Sequence, residues 1–462
     1  MRNIKTLLIL GTGTLILLII GLYNGFPLVY SDTGTYIYSG FDKFIPNDRP
    51  ITYGLFLRFF SFNYSLWLVI LVQNFLTSFV IYETLKIFKI KNLNFVLLFI
   101  GILTFLMLFT GISWYSNQIM PDFFTPLIIL LICLLVLGEN QSLFKKIIFS
   151  IILIYSLTTH FSNLLIGISL IMLLIILKFV FKDYLKTHFF SIKLKNLLFT
   201  LLVILAGWLT LPLINFLVEK KFVMSKAPHV FIMGHLDDTG ILKKFLDENC
   251  SNDEYKNCKL CQYKDSLPID IASFVWGSDM VKNSGGWQDS KNEYNKIIKA
   301  TLIHPKYLLM NITKSFNYGL VQLTKNEIGQ GLSANNEGSA PYGQIHWRFH
   351  DELNNYLNSR QNKWNGVNLK LDSINYIHMI LLILSLFVII FIFTTSLWSK
   401  LEPLTLIFLV IIILSIILNS FVTAGLVSPC ERYQARVVWL VPFVLIILIM
   451  KNFEAIIKTF KK

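Results

Sequence analysis

Residues 4–23 read IKTLLILGTGTLILLIIGLY, a run of 20 residues that contains one charged side chain, Lys5. A run of about 20 mainly apolar residues is long enough to cross the hydrocarbon core of a bilayer as an α-helix. Arg2 and Lys5 would also suit the basic start of a signal peptide, but the run is longer than the usual apolar region and no A-x-A-like site follows it. We therefore predict a retained membrane helix.

Comparable apolar runs recur along the chain, and the composition agrees with them. Of the 462 residues, 54% are hydrophobic and 15% are charged, whereas soluble domains carry about a quarter charged residues. Lipid offers the backbone no hydrogen-bond partner, so spanning segments are helices or strands of closed barrels, and these runs are too long and too continuously apolar for barrel strands. We predict an all-α polytopic membrane protein with about ten transmembrane helices, near residues 4–23, 64–88, 93–112, 121–137, 147–159, 163–181, 196–217, 376–395, 403–422 and 437–450.

The positions of the lysines predict the orientation of these helices. Lysine and arginine favour cytoplasmic loops close to helix ends. With the N-terminus inside, every inner segment contains lysine, and these residues are Lys86, Lys89, Lys91, Lys145, Lys146, Lys178, Lys182, Lys186, Lys193, Lys195, Lys400, Lys451, Lys458, Lys461 and Lys462. We expect both termini in the cytoplasm and much of the +14 formal charge to be a topology signal, so this charge does not indicate nucleic acid as a partner.

The predicted helices divide the chain into three parts. Residues 1–218 form an N-terminal transmembrane module with the first external loops, residues 219–375 an inserted external segment of mixed structure, and residues 376–462 a C-terminal module with an arginine-rich last external loop. Abundant Ile, Lys, Asn and Phe are typical of an AT-rich bacterial genome, which favours the inner (plasma) membrane with the elaborate loops facing the periplasm or exterior. Residues 292–323 read as helical. The apolar residues between Lys306 and Lys314 predict a helix that lies on the membrane or is packed beneath the external segment.

The first external loop is unusually polar for a connector, since residues 30–56 read YSDTGTYIYSGFDKFIPNDRPITYGLF. The Asp32 carboxylate lies just past the first helix, where it can accept a proton from an attacking hydroxyl, although Asp32 also suits a helix N-cap. Arg49 carries the planar fork of donors that binds phosphate bidentately. A local ion pair between Arg49 and Asp48 is the alternative.

Later positions on the same predicted face add ionisable groups. Asp122 follows Pro121 in the first turn of a helix, where an acidic residue suits the helix dipole but also marks a candidate site. His160 lies at the outer end of the fifth predicted helix, in either a structural or a site role. External arginine is disfavoured in membrane proteins, so Arg432 and Arg436 call for a partner, either a phosphate or an acidic residue such as Asp32.

Taken in order, these residues resemble the motifs of the GT-C superfamily of integral-membrane glycosyltransferases, which includes the protein O-mannosyltransferase and aminoarabinose transferase branches. That pattern has an acidic residue in the first external loop, a basic-Pro-x-x-Tyr stretch opening the second helix, an acidic residue in the second external loop and basic residues in late external loops. The matching stretches are Asp32, Arg49-Pro50-Ile51-Thr52-Tyr53, Pro121-Asp122 and Arg432-Tyr433. The resemblance covers residues 1–218 and 376–450. Residues 219–375 match no member, and the branches with a paired Asp-Glu are not matched because Thr33 follows Asp32.

The resemblance implies a GT-C-like fold and the inverting transfer of a sugar from a polyprenyl-phosphate donor to a glycan, lipid or protein acceptor at the outer face of the bilayer. Asp32 and Asp122 are the implied catalytic residues, with Asp32 as general base on the acceptor hydroxyl. The residues implied to bind substrate are Arg49, Tyr53, His160, Arg432, Tyr433 and Arg436. Oxygen ligands would suit a divalent cation, Mg²⁺ or Ca²⁺, but no ligand cluster in the sequence requires a metal.

A non-catalytic assembly factor is an alternative that the ordered polar residues disfavour. Two other classes of protein share this outline. One is a polysaccharide polymerase or ligase that uses diphosphate-linked chains, and the other is a transporter of lipid-linked glycans. Transporters favour internal repeats and broken or charged helices near mid-membrane, and the sequence has no clear repeat and few charges within its apolar runs. The acidic first loop favours the glycosyltransferase over the polymerase.

Four cysteines are predicted to be external: Cys250, Cys258, Cys261 and Cys430. Four thiols allow two disulfides in three pairings, and an oxidising exterior favours their formation. A disulfide between Cys430 and the external segment would tie the Arg432 loop to that segment.

Overall fold

The computed structural model describes residues 2–90, 94–180 and 192–460. Within these ranges the chain is helical and contains no β-strand, and a single parallel bridge joins Leu28 to Gln118. The predictions of cytoplasmic lysines at Lys91, Lys182, Lys186, Lys461 and Lys462 lie outside the described residues.

The N-terminal part contains long helices joined on one side by short helical loops. Its helices are α1 (Arg2–Asn24), α2 (Thr33–Asp42), α3 (Thr52–Ser61), α4 (Leu66–Ile87), α5 (Phe95–Phe109), α6 (Ile112–Ser116), α7 (Phe124–Leu137), α8 (Leu143–Thr158), α9 (Phe161–Val180) and α10 (Leu194–Glu219). A 3₁₀ turn, Pro121–Phe123, leads into α7. The polar loop that follows α1 therefore forms two short helices, α2 and α3.

The inserted segment, which we predicted to be of mixed structure, consists of helices joined by turns and loops and contains no strand in its described residues. Its α-helices are α11 (Pro228–Asp238), α12 (Ile241–Asn249), α13 (Met280–Asn283), α14 (Gly286–Asp289), α15 (Lys291–Ile303), α16 (Pro305–Leu323), α17 (Ala340–Arg348) and α18 (Leu353–Leu357). It also contains 3₁₀ turns at Lys259–Tyr263, His350–Glu352 and Lys363–Leu369 and a π-helical turn at Ser273–Gly277.

The C-terminal part returns to long apolar helices. They are α19 (Leu371–Thr394), α20 (Pro403–Leu426), the short α21 (Glu431–Val438) and α22 (Leu440–Phe460), with a 3₁₀ turn at Ser396–Lys400. The backbone of α22 leaves helical geometry at Asn452.

Seven helices among the described residues are long and apolar enough to cross a membrane, which supports a multi-pass membrane protein. They are Ile4–Asn24, Leu66–Ile87, Phe161–Val180, Leu194–Glu219, Leu371–Thr394, Pro403–Leu426 and Glu431–Phe453. Phe95–Phe109 and Pro121–Leu137 are apolar but shorter, and α8 has 16 residues, of which two are lysines. The predicted count of about ten spans is therefore not confirmed, because three of the ten expected segments fall below the length or hydropathy of a full span.

The centre of the membrane part is α7, in which every residue is buried. It packs against α4, α8, α9, α10 and α20. A helix that is apolar on all sides is typical of a protein core or of a membrane span, and α7 is enclosed by its neighbours. The enclosed position fixes the turn that precedes α7, and with it Asp122, at the middle of one end of the helix bundle.

The first part of the inserted segment has a separate hydrophobic core. This core is formed by α11, α12, α15 and the beginning of α16 around Phe245 and Tyr294. A disulfide joins Cys250 to Cys261, whereas Cys258 and Cys430 are free thiols. One of the two expected disulfides is therefore present, and the expected covalent link from Cys430 is replaced by a hydrogen bond from its thiol to Gln330 Oε1 at 2.9 Å.

Candidate functional site

The loop after α1 is held in shape by close contact between α2 and α3. The two helices cross at Gly40 and Gly54, where a Cβ atom on Gly40 would lie 2.0 Å from the carbonyl oxygen of Gly54. Only glycine permits this approach of two backbones. The crossing positions Asp32, which immediately precedes α2, beside Arg49, which lies shortly before α3.

Asp32 pairs with two arginines that are far apart in sequence. Its Oδ1 lies 3.1 Å from Arg49 NH1, and its Oδ2 lies 3.4 Å from Arg432 NH1. Arg49 also donates to Asp48, with Nε at 2.9 Å from Oδ2. The Asp32 side chain makes no capping hydrogen bond to α2, so the N-cap alternative does not describe it, whereas the local Asp48–Arg49 pair is formed in addition to the pair with Asp32.

The chain of ion pairs continues from Arg432 into the interior. Arg432 Nε lies 3.7 Å from Asp122 Oδ1, and the same oxygen is 3.1 Å from Arg436 NH1. Three carboxylates and three guanidinium groups thus alternate in one line, which we call the ion-pair cluster: Asp48, Arg49, Asp32, Arg432, Asp122 and Arg436. Its formal charges cancel, as a buried group of charges requires.

The cluster has an open end, which consists of Asp48, Arg49 and Asp32, and a deep end, which consists of Asp122 and Arg436. The side chains of Asp122 and Arg436 are 2% and 1% exposed, and that of Arg432 is 9% exposed. The Asp32 side chain is 28% exposed. Solvent therefore reaches the cluster at Asp32, and a substrate would meet Asp32 before the deeper pair.

The deep end is supported by hydrogen bonds from α9 and α20. Arg436 NH2 lies 3.5 Å from Ser162 Oγ and 3.4 Å from Asn419 Oδ1. His160 Nδ1 accepts from the backbone N–H of Ser162 at 3.2 Å and lies 2.7 Å from its Oγ. Burial and the nearby Arg436 lower the pKa of His160 to about 3. His160 is therefore neutral at physiological pH, and it supports the arginine through Ser162 rather than touching the carboxylates.

Aromatic rings line the arginines on both sides. The Arg432 guanidinium lies 4.5 Å from the ring centre of Tyr30 and 5.1 Å from that of Tyr433. The Arg436 guanidinium lies 5.3 Å from the Tyr433 ring. Such stacking is favourable for guanidinium groups and holds them in a fixed plane. Tyr433 therefore contacts both of these arginines, and its role in substrate binding stays a prediction.

Tyr53, in contrast, lies outside the cluster. Its side chain is fully buried, and its hydroxyl donates to Gln73 Oε1 at 2.7 Å. Its ring packs edge-on against Tyr36 at 5.0 Å, and Tyr36 in turn lies beneath Arg49 at 5.1 Å. Tyr53 thus supports the floor beneath Arg49, and this geometry offers no direct contact with a substrate.

The charges around Asp32 set its protonation. Burial alone would raise the pKa of Asp32, but Arg49 and Arg432 outweigh burial and hold that pKa below its ordinary value. Burial raises the pKa of Tyr30 to about 12, against the opposing effect of Arg432. Asp32 is therefore a carboxylate at neutral pH, and its basicity would rise if an anion drew the arginines away.

A loop of the inserted segment, which includes Glu327, Gln330 and Gly331 and which we call the covering loop, lies against the cluster. Gln330 Oε1 accepts from the backbone N–H of Arg432 at 3.0 Å. The next residue, Gly331, has a φ of +79° and lies so close to Tyr30 that a Cβ atom would be 1.9 Å from its ring. Glu431 accepts from the backbone N–H of Glu327 at 2.9 Å. The two glycines of Gly329-Gln330-Gly331 are the local sequence signal of this close approach. No local pattern predicts that Ser162 or Asn419 contacts Arg436.

The described residues contain no group of three or more His, Cys, Asp or Glu side chains that could hold a metal ion. In the cluster, the carboxylates of Asp32 and Asp122 are engaged by guanidinium groups. This donor set does not fit the predicted Mg²⁺ or Ca²⁺, which would need those oxygens free. The divalent cation stays a prediction.

No family model, curated protein or solved structure matches this chain.

Proposed function

We propose that the protein is a membrane glycosyltransferase that moves a sugar from a polyprenyl-phosphate donor to an acceptor hydroxyl at the membrane surface, with inversion at the anomeric carbon. The observation that carries the proposal is the ion-pair cluster at one end of the helix bundle, with a partly exposed carboxylate at its open end. The first loop supplies Asp32 and Arg49, and α21 supplies Arg432, so a carboxylate and two guanidinium groups meet in one place. In the proposal the carboxylate is the base and the guanidinium groups bind the phosphate.

The arginines supply the binding of the donor phosphate. A phosphate oxyanion accepts two parallel hydrogen bonds from a guanidinium group, as a carboxylate does. A donor phosphate at the open end would therefore compete with Asp32 for Arg49 and Arg432. When these guanidinium groups turn towards the phosphate, they offset the negative charge that builds up on the leaving group.

The movement of the arginines from Asp32 to the phosphate also makes Asp32 more basic. Once the arginines bind the phosphate, Asp32 loses the positive charges that lower its pKa, and it becomes a better proton acceptor. The acceptor hydroxyl transfers its proton to Asp32 while its oxygen forms a bond to the anomeric carbon. The bond between that carbon and the phosphate oxygen breaks, and the polyprenyl phosphate leaves with the bonding electrons.

In this proposal Asp122 has a structural role, whereas the resemblance implied a catalytic one. Its carboxylate is almost fully buried and lies between Arg432 and Arg436. A proton acceptor must reach the hydroxyl within hydrogen-bond distance, which suits the exposed Asp32 better. We assign Asp122 to holding the two arginines in place, and His160 to supporting Arg436 through Ser162.

Complementation in cells tests the proposal. Cells that lack the protein are supplied with the wild type, Asp32→Asn or Asp42→Asn, and the masses of surface and lipid-linked glycans are measured. Asp42 is a matched control, since it lies in the same loop but pairs with Arg348 at 2.8 Å rather than with the cluster. We expect the wild type and Asp42→Asn, but not Asp32→Asn, to restore a missing sugar. An unchanged glycan profile in cells that lack the protein would contradict the transferase.

A further inference from the structure

One face of α16 is apolar and uncovered by the rest of the protein. Leu308, Ile312, Phe316 and Leu320 follow one another at four-residue spacing, which places them along one side of a helix. Their exposed fractions are 37%, 59%, 55% and 46%. We call these four side chains the α16 face. Monomeric proteins in water rarely leave such a continuous apolar strip exposed.

The α16 helix lies against α20, one of the candidate membrane spans. Gly319 allows the contact, since a Cβ atom there would lie 2.3 Å from the ring of Phe421. Ser420 Oγ donates to the carbonyl oxygen of Gly319 at 2.5 Å, and the rings of Phe316 and Phe421 lie 5.5 Å apart. Ile417 is one turn from Phe421 and is also exposed. The α16 face therefore continues into the exposed apolar surface of a membrane helix.

The contact with α20 also gives the depth of α16. At 1.5 Å per residue, Ser420 lies about 26 Å along α20 from its first residue, Pro403. The hydrocarbon core of a bilayer is about 30 Å thick. For an upright α20 that enters the hydrocarbon at Pro403, the level of Ser420 and Gly319 falls inside the hydrocarbon near the surface that carries the cluster. Met310, by contrast, packs into the separate core of the inserted segment. The helix thus descends from that core into the membrane surface.

The C-terminal end of α16 is hydrogen-bonded to the residue that precedes α21. The buried side chain of Gln322 donates to the carbonyl oxygen of Cys430 at 2.8 Å and accepts from its backbone N–H, also at 2.8 Å. Cys430 is the residue before α21 and stands two positions from Arg432. This pair of hydrogen bonds fixes the beginning of the helix that carries Arg432 relative to α16.

We propose that the α16 face binds the acyl chains of the bilayer on the cluster side. Because Gln322 bonds α16 to the residue before α21, this lipid contact also holds Arg432 at the depth of a lipid phosphate. The partner is lipid rather than another protein, because the face continues the exposed surface of α20 at hydrocarbon depth. The role of Gln322 in substrate binding rests on the proposed glycosyltransferase, whereas the lipid contact does not.

Photocrosslinking tests the lipid contact. The full chain carries benzoylphenylalanine at Ile312 or Phe316, and is reconstituted in vesicles of phosphatidylethanolamine and phosphatidylglycerol. Lys314 is the matched control position, since it is exposed on the same helix but points away from both residues. We expect phospholipid adducts at Ile312 and Phe316 and their loss at Lys314. Crosslinks to a second copy of the chain, or equal lipid adducts at all three positions, would overturn the proposal.

The role of Gln322 has a readout that needs no transferase assay. In Gln322→Ala the start of α21 loses both hydrogen bonds, so the free Cys430 thiol should react faster with a maleimide. Ser420→Ala is the control, because it removes a bond between α16 and α20 but keeps the Gln322 pair. We also expect Gln322→Ala to raise the KM for the lipid donor more than it lowers kcat. An unchanged rate of Cys430 labelling would contradict the positioning role of Gln322. Lipid adducts in a protein without any transfer activity would contradict only the proposed glycosyltransferase function and not the lipid contact.

Discussion

The open end and the deep end of the ion-pair cluster use the same pair of residue types in different surroundings. At the open end, Asp32 is 28% exposed and lies between Arg49 and Arg432. At the deep end, Asp122 is 2% exposed and lies between Arg432 and Arg436. A carboxylate that water can reach is able to exchange its partners during a reaction, whereas a buried one cannot lose its partners without a large cost. Exposure, rather than residue type, is therefore the reason why the proposal gives the reaction to Asp32 and a structural role to Asp122.

The largest effect on stability is expected at the deep end. Asp122→Asn removes the carboxylate that offsets Arg436 and part of Arg432, and it leaves buried positive charge unpaired. Breaking a buried pair in this way costs about 3–5 kcal/mol. The yield of folded protein in detergent and its thermal unfolding measure this loss. A stability equal to that of the wild type would contradict the structural role of Asp122.

At the open end, the expected effect is on the reaction. Asp32→Asn keeps the shape of the side chain but removes the proton acceptor, so the rate of sugar transfer should fall by about 10²–10⁴-fold. The loss of folded protein should be smaller than for Asp122→Asn, because Asp32 is partly exposed and Arg49 retains Asp48. Single-turnover transfer rates and thermal unfolding of both variants make the comparison. Equal losses of stability in the two variants would remove the distinction between the ends.

The covering loop offers a smaller and more local perturbation. Gly331→Ala introduces a side chain at a φ of +79° and against the ring of Tyr30, and overpacking of this kind costs about 1–3 kcal/mol. Gly338→Ala is the matched control, since Gly338 has a φ of +89° but open space around it. We expect only Gly331→Ala to raise the KM for the donor, through displacement of Tyr30 from Arg432. Equal kinetic constants in the two variants would show that the loop does not shape the site.

The dependence of stability on pH gives the smallest expected difference. The pKa of Asp32 is lowered in the folded protein by Arg49 and Arg432, although burial opposes them. Its ionised form therefore stabilises the fold above the unfolded-state pKa of about 4, and this contribution is lost as the pH falls through the lower folded-state pKa. We expect the wild type to lose more stability than Asp32→Asn between about pH 5 and pH 3. Parallel unfolding curves for the two proteins over that range would contradict the ion pairs of Asp32.

Several of these features follow from local patterns in the sequence. The multi-pass helical character follows from apolar runs such as residues 4–23, because length and hydropathy decide whether a segment can span lipid. The sequence also singled out Asp32, Arg49 and Arg432, because charge is rare in such a chain and external arginine needs a partner. The structure brings these three residues together.

Other features depend on contacts that no local pattern encodes. Arg432 meets Asp32 across 400 positions of the chain, and Gln330 reaches Arg432 across 102 positions. Tyr53 stood in a matching motif, yet its hydroxyl turns to Gln73, since tertiary packing decides where a side chain points. The sequence also predicted too little helix in the inserted segment, because short amphipathic segments carry a weak periodic signal.

The central claim is that a sugar is transferred from its polyprenyl-phosphate donor at the open end of the cluster, with Asp32 as the base. The most direct measurement uses purified protein in vesicles that contain the lipid extract of cells lacking it, and follows the polyprenyl lipids by mass spectrometry. The account predicts that the wild type converts one accumulated donor into polyprenyl monophosphate and that Asp32→Asn does not. Release of polyprenyl diphosphate would indicate the polymerase or ligase instead, and equal turnover by Asp32→Asn would contradict the assignment of the base.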